Sequence, residues 1–297
     1  MKDYVMLTKP GIIMGNLIAA GSGLLLAAQG NVDFYVFLMM CLGTSLVVAC
    51  GCVFNNYIDR DIDLKMERTR NRALPQGRID ARIALLMGTV CGVLGFTALA
   101  VATNWLAVGF AALGLLVYVG FYSLKYKRSS VHGTLIGSLS GACPPVIGYV
   151  SVSNEFDLGA VILLLTFCFW QIPHSYAIAI CRFDDYKAAN IPVMPVQRGI
   201  KAARTHMMVY IIAFAVAALM LAERGYAGNL YALVISVMSL YWLYITKVGY
   251  HTQSQKVWGR KMFVFSVVLI TVFSVLISID YVTPATMQPM SVTMLSQ

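Results

Sequence analysis

Charge is what this 297-residue chain has least of: Asp, Glu, Lys and Arg make up 12% of it, against 59% hydrophobic residues. A soluble domain carries about twice that charged share, so a soluble fold is excluded. Cysteine occurs seven times, at Cys41, Cys50, Cys52, Cys91, Cys143, Cys168 and Cys181, always inside apolar runs and never as a Cys-x₂-Cys pair. Zinc ribbons and dithiol redox motifs are therefore excluded, and the thiols read as small buried apolar groups. Tandem repeats, low-complexity tracts, Pro-rich linkers and any assembly resembling a catalytic triad are also missing. The formal net charge is +9, yet no basic run is interleaved with aromatics in a soluble segment, so nucleic acid is not the partner.

Long apolar runs fill the space that charge leaves. Nine approach the roughly 20 residues needed to cross a bilayer: 10–29, 34–55, 82–102, 105–124, 132–152, 158–180, 206–222, 227–246 and 262–280. Runs of this length satisfy their backbone as helices, not as a barrel. The expectation is an all-α polytopic membrane protein in one membrane-embedded domain over residues 1–297. Charge placement tests the count. Of 22 Lys and Arg, 21 fall at the N-terminus or after spans two, four, six and eight, and only Arg224 lies on the other side. This asymmetry places the N-terminus in the cytoplasm and the C-terminus outside. Residues 1–29 could also be read as a signal peptide with cleavage near Ala27-Ala28. That run is long for such a segment, and eight spans follow it, so a retained first helix is the expectation.

The longest loops, 56–81 and 181–205, both face the cytoplasm and hold most of the charged chemistry. Asn55, Asp59 and Asp63 stand at i, i+4 and i+8. Four helical steps turn the chain by about 400°, so successive members drift only about 40° around the axis. A helix continuing through this stretch puts all three oxygen donors on one face, which suits a hard cation such as Mg²⁺ shared with a phosphate. Asp61 points elsewhere. Arg68, Arg70, Arg72 and Arg78 follow, and guanidinium grips phosphate bidentately. Arg68 and Arg72 are favoured for that role by their own i, i+4 spacing, although the positive-inside rule alone accounts for basic loops. After span four, Tyr118, Tyr122 and Tyr126 read as interfacial anchors, with Lys125 and Lys127 as further phosphate candidates beside Arg128. After span six, Asp184 and Asp185 with Lys187 form the other acidic cluster, the available source of ligands for a second ion. Gly133, Gly137 and Gly141 repeat every fourth residue, which suits close helix packing or a slot for a planar substrate. Pro144-Pro145 should kink span five and free carbonyls that a neighbour or cavity must satisfy. His174 lies inside span six, where an ionisable side chain is a functional candidate; a core histidine bonded to a neighbour is the alternative.

The Asn55-x₃-Asp59-x₃-Asp63 pattern resembles the UbiA superfamily of intramembrane prenyltransferases, and the nine-helix, N-in layout agrees. Thr8-Lys9-Pro10-Gly11, Asn55 to Asp63, Pro144 to Tyr149 and Trp170-Gln171-Ile172-Pro173-His174 look like the branch of that superfamily that acts on haem. The resemblance covers nearly the whole chain. It departs at the second acidic motif, usually Asp-x₃-Asp, because Asp184 and Asp185 are followed four residues on by Ala188 and Ala189.

The resemblance implies a UbiA-type bundle in a bacterial inner membrane. It implies transfer of a farnesyl group from farnesyl diphosphate to the 2-vinyl group of haem b, with Mg²⁺ as cofactor, for use by haem–copper oxidases. Asp59, Asp63, Arg68 and Arg72 would be catalytic. Asn55, Asp59, Asp63, Asp184 and Asp185 would hold metal, and Lys125, Lys127, Lys187 and His174 would contact substrate. Three other readings compete: a prenyltransferase acting on a quinone precursor or chlorin, a cation-coupled transporter, and a non-catalytic haem carrier. Acids at one membrane face, not the midplane, speak against the transporter, and the carrier leaves the acid–arginine constellation without a task.

Overall fold

The computed structural model describes residues 2–249 and 254–282. Among them, nine helices are long and apolar enough to cross a membrane, which makes this a multi-pass membrane protein. They are α1 (Pro10–Ala28), α2 (Phe34–Ile58), α3 (Ala81–Ala102), α4 (Trp105–Ser129), α5 (Gly133–Ser153), α6 (Leu158–Cys181), α7 (Met194–Glu223), α8 (Asn229–Val248) and α9 (Gln255–Ile279).

All nine expected spans are present, but several ends move. α2 runs to Ile58 and α4 to Ser129, past the expected 55 and 124. α7 begins at Met194 instead of 206, with a break at Gly199 (φ 81°), and α9 begins at Gln255 instead of 262. For α4, α7 and α9 the cause is common: charged residues end an apolar run, but they do not end a helix, because long cationic side chains reach water while the backbone goes on hydrogen-bonding. Ser254 then caps α9 through the Val257 amide at 3.5 Å, and Arg204 of α7 lies 4.5 Å over the Trp258 ring.

Two joints bring helix backbones into contact. A Cβ on Gly148 would lie 1.8 Å from the Ala20 carbonyl, and one on Gly23 would lie 2.0 Å from that of Pro145, so α1 and α5 meet without side chains between them. Gly43 and Gly95 do the same for α2 and α3, each Cβ falling 2.9 Å from the other's carbonyl. Lipid offers no hydrophobic drive for helix pairing, and such small-residue contacts provide the packing in its place. The middle of α4, Leu116–Tyr126, is a π-helix. Its wider turn appears in the Ser123 hydroxyl, which donates to the Tyr118 carbonyl five residues back at 2.8 Å. Beyond the ends of the helices, Ile62 and Met66 pack with Ala189 and Ile191, joining the loops after α2 and α6. The joint lies over the polar ends of the helices that carry Asp59 and His174.

Candidate active site

Helix α2 ends at Ile58, and Asp59 (φ −87°, ψ 1°) separates it from a short helix, Arg60–Asp63. The α-helical register survives this seam. The Asp59 amide donates to the Asn55 carbonyl at 2.9 Å, and the Asp63 amide to that of Asp59 at 2.8 Å. Asn55, Asp59 and Asp63 are accordingly gathered and buried, 4%, 1% and 3% exposed, while the Asp61 side chain is 61% exposed.

Buried carboxylates need counter-charges, and each has one. The Lys127 ammonium donates to Asp59 Oδ2. Arg72 Nη1 donates to Asp63 Oδ2 at 2.8 Å and to Asn56 Oδ1 at 3.2 Å. Arg128 grips both oxygens of Asp61 at 2.7 Å, and its Nη2 stands 3.7 Å from Asp59 Oδ1. That guanidinium holds the Asp61 carboxyl down at about 2, against a smaller upward push from burial. Asn55 is fixed from three sides: its amide donates to Asp59 Oδ2 at 2.8 Å and Ser123 Oγ at 2.9 Å, and its oxygen accepts from Lys9 Nζ at 2.5 Å. Lys9 reaches it from a left-handed conformation (φ 54°) directly before Pro10, a costly geometry for that position. Burial, more than any neighbouring charge, draws the Lys9 ammonium down to about 8. Asp59 Oδ1, though buried, has no hydrogen-bond partner. A donor set of two carboxylates and an amide, all oxygen, with one orphaned oxygen among them, fits a hard divalent cation. Among the described residues no three His, Cys, Asp or Glu side chains converge, so the amide and a ligand's own oxygens would have to complete the set.

Beneath this cluster lies a cavity of about 1690 Å³ walled by α1, α2, α4, α5, α6 and α9. His174 lines it, stacked on Trp170 at 4.6 Å between ring centroids. Its tautomer follows from its neighbours. The single proton of Ser266 Oγ goes to the Phe263 carbonyl at 2.6 Å, so Ser266 must accept from His174 Nδ1, 2.8 Å away. Nδ1 therefore carries the hydrogen, and Nε2 keeps a free lone pair.

The structure thus brings together Asn55, Asp59, Asp63, Arg72 and Lys127. Arg68 is exposed and lines the cavity mouth. Lys125 is exposed too, 5.4 Å from the centre of its neighbour's ring at Tyr126. Asp184 and Lys187 are exposed, and Asp185 accepts the Glu67 amide at 2.8 Å, tying the loop after α2 to the loop after α6. Tyr118 and Tyr122 are not membrane anchors. They stack at 6.2 Å within the bundle, Tyr118 lines the cavity, and the missing Cβ atoms of Gly51 and Gly137 leave room for the two rings. Gly133 and Gly141 also serve close packing. Sequence reasoning did not single out Lys9, Ser123 or Arg128 as site residues. Lys9 stands inside a motif that could have flagged it. Ser123 enters the site through the π-helix, which no residue pattern announces.

A model of the UbiA prenyltransferase family matches residues 16–269. The chain is 57% identical over 284 residues to protoheme IX farnesyltransferase 2 of Pseudomonas fluorescens, covering 96% of each chain. It is likewise 57% identical over 284 residues to the protoheme IX farnesyltransferase of Cronobacter sakazakii, again covering 96% of each. Among solved structures it superposes on one concerning digeranylgeranylglyceryl phosphate synthase in membranes, with TM-score 0.77, 18% identity, and 94% and 97% of the two chains covered. A UbiA homolog from Archaeoglobus fulgidus bound to DMAPP and Mg²⁺ gives TM-score 0.68 at 16% identity, covering 93% and 99%.

Proposed function

Because this chain belongs to the UbiA prenyltransferase family, we propose that it transfers the farnesyl group of farnesyl diphosphate to the 2-vinyl group of haem b, giving haem O and diphosphate. The observation that carries this reading is one cavity lined both by Lys9 and Arg72, which hold the buried Asn55 and Asp63, and by His174. Relatives 57% identical over nearly their whole length, which bear the name of that activity, supply the acceptor.

Asn55, Asp59 and Asp63 would hold Mg²⁺, which supplies charge neutralisation to the diphosphate. Arg72, Lys127 and, from the mouth, Arg68 take the phosphate oxygens, guanidinium by a two-pronged grip. The C1–O bond of farnesyl diphosphate breaks with its electron pair leaving on diphosphate, and these cations stabilise the growing charge. The walls of the cavity keep bulk water from the allylic cation. His174 lines the same space, and its Nε2 would be suited to bind haem iron or to orient the ring. A second ion on Asp184 and Asp185 would find Asp185 Oδ2 available, since the Glu67 amide takes only Oδ1. The site faces the cytoplasm of an inner membrane with the N-terminus inside, and the product serves haem–copper oxidases.

Purified protein incubated with haem b, farnesyl diphosphate and Mg²⁺ should form haem O, and Asp59→Ala and Asp63→Ala should each abolish it. Transfer to a quinone precursor but not to haem would replace this acceptor assignment. Undiminished turnover in both variants at limiting Mg²⁺ would remove the carboxylates from the mechanism.

A further inference from the structure

Helix α5 is continuous through Pro144 and Pro145, and neither proline has an N–H. The carbonyls of Ser140 and Gly141 therefore have no helical donor four residues on. Both residues line the cavity. Facing them from α6 is Gln171: a Cβ on Gly141 would lie 2.8 Å from Gln171 Oε1 and 3.0 Å from its Cδ. A side chain at position 141 would displace the carboxamide. Its polar neighbours on α6 are committed elsewhere, since Trp170 Nε1 donates to the Ser266 carbonyl at 2.9 Å and His174 donates to Ser266 Oγ. Gln171 lines the cavity with no hydrogen-bond partner among the described residues.

Two backbone acceptors and one amide, which both donates and accepts, are thus brought to one stretch of the cavity wall. Gly141 lies eight residues from the cytoplasmic end of α5, about 12 Å into the membrane, so the patch is below the carboxylate cluster. Leaving such groups unmatched at that depth is costly. A farnesyl chain has no hydrogen-bonding groups to offer them. The polar edge of a porphyrin is anionic and would meet two carbonyl oxygens. Water supplies both donors and an acceptor, and it needs two to four polar partners to be held.

We propose that Gln171 and the freed carbonyls of Ser140 and Gly141 hold the water molecule that completes the reaction. This rests on the haem farnesylation reading above. In that reaction the vinyl π pair forms the bond between farnesyl C1 and the outer vinyl carbon. The inner vinyl carbon is left electron-deficient beside the porphyrin. The held water donates a lone pair to that carbon, forming the C–O bond, and its proton passes to the diphosphate released in the first step. Without held water, the same cation sheds a proton from the adjacent CH₂ to the same base. The adduct is then an alkene, lighter by one water.

The product ratio tests this in purified full-length protein with haem b, farnesyl diphosphate and Mg²⁺, read by mass spectrometry. Gln171→Leu is expected to raise the ratio of dehydrated to hydrated adduct by about tenfold, the scale of one lost hydrogen bond. Gln171→Glu, which keeps an acceptor oxygen in place, is expected to restore hydration. An unchanged ratio in Gln171→Leu overturns the proposal, whatever happens to total turnover. If that variant does not accumulate, Pro144→Ala decides, because it restores an amide that captures the Ser140 carbonyl. A raised ratio there supports the water site, and the wild-type ratio overturns it. A wild-type enzyme that makes no hydroxylated farnesyl haem would instead overturn the assigned reaction.

Discussion

Without the Asp59 carboxylate, Lys127 would be a nearly buried cation with no anion, and Arg128 would lose the weaker of its two carboxylate contacts. Asp59→Asn is therefore expected to cost stability as well as about 10²-fold or more in turnover, the scale of losing a main electrostatic group of a site. Asp61 is only two positions away, but it is exposed and pairs with Arg128 outside the cluster. Asp61→Asn should cost less than about tenfold, since surface pairs are worth roughly 0–1 kcal/mol. That pair contributes stability only while Asp61 is charged. Its share is lost as pH falls from the ordinary carboxylate range towards about 2, so pH 5 and pH 7 melting curves of wild type and Asp61→Asn should differ by the same small amount. Equal activity loss in both asparagine variants would refute the division between the two aspartates. At His174, Ser266→Ala removes the acceptor that fixes the tautomer. It should shift the absorption of bound haem in the direction of His174→Ala, though by less, while farnesyl diphosphate binding stays within about twofold. A Ser266→Ala spectrum identical to wild type would show that the serine does not set the ring.

Helix joints are where single substitutions act on whole elements. Gly148→Ala would push a Cβ into the Ala20 backbone, which has no rotamer to move. It should prevent the protein from accumulating in the membrane. Gly15→Ala meets nothing within 4 Å and should accumulate normally, so comparable levels of the two would contradict the backbone contact. The spacing of Asn55, Asp59 and Asp63 made the cluster legible because α-helical hydrogen bonding persists across the Asp59 seam. The nine spans were legible because bilayer thickness sets a length and charge marks the ends. Helix ends were less so, since Lys256, Arg260 and Lys261 stop an apolar run without stopping α9. The π-helix of α4 was not legible at all: an α-helical reading of Leu116–Tyr126 fits the composition equally well, and tertiary contact with Asn55 favours the wider turn. Nor did the acidic pair show its structural task in advance: Asp185 accepts the Glu67 backbone amide and so ties the two loops, a contact no spacing announces.

Across the whole molecule, the distribution of charge makes a prediction about orientation. A reporter inserted after Val248 should face the cytoplasm, and one after Val282 the opposite side. Finding both on one side would break the odd number of crossings. The backbone joint of α1 to α5 also has a consequence in time. The two faces that meet are separated by more than a hundred residues of chain, and synthesis at about 5–20 residues per second delivers the second of them on the order of ten seconds after the first. For that interval α1 stands in the bilayer without its partner. Its glycine groove at Gly23 must meanwhile be covered by lipid or by the early pair of α2 and α3, and α5, with its two prolines and its serines, arrives when a docking surface already exists. The order of helices along the chain is in this sense an order of assembly: lipophilic helices first, and the helix that most needs company after them.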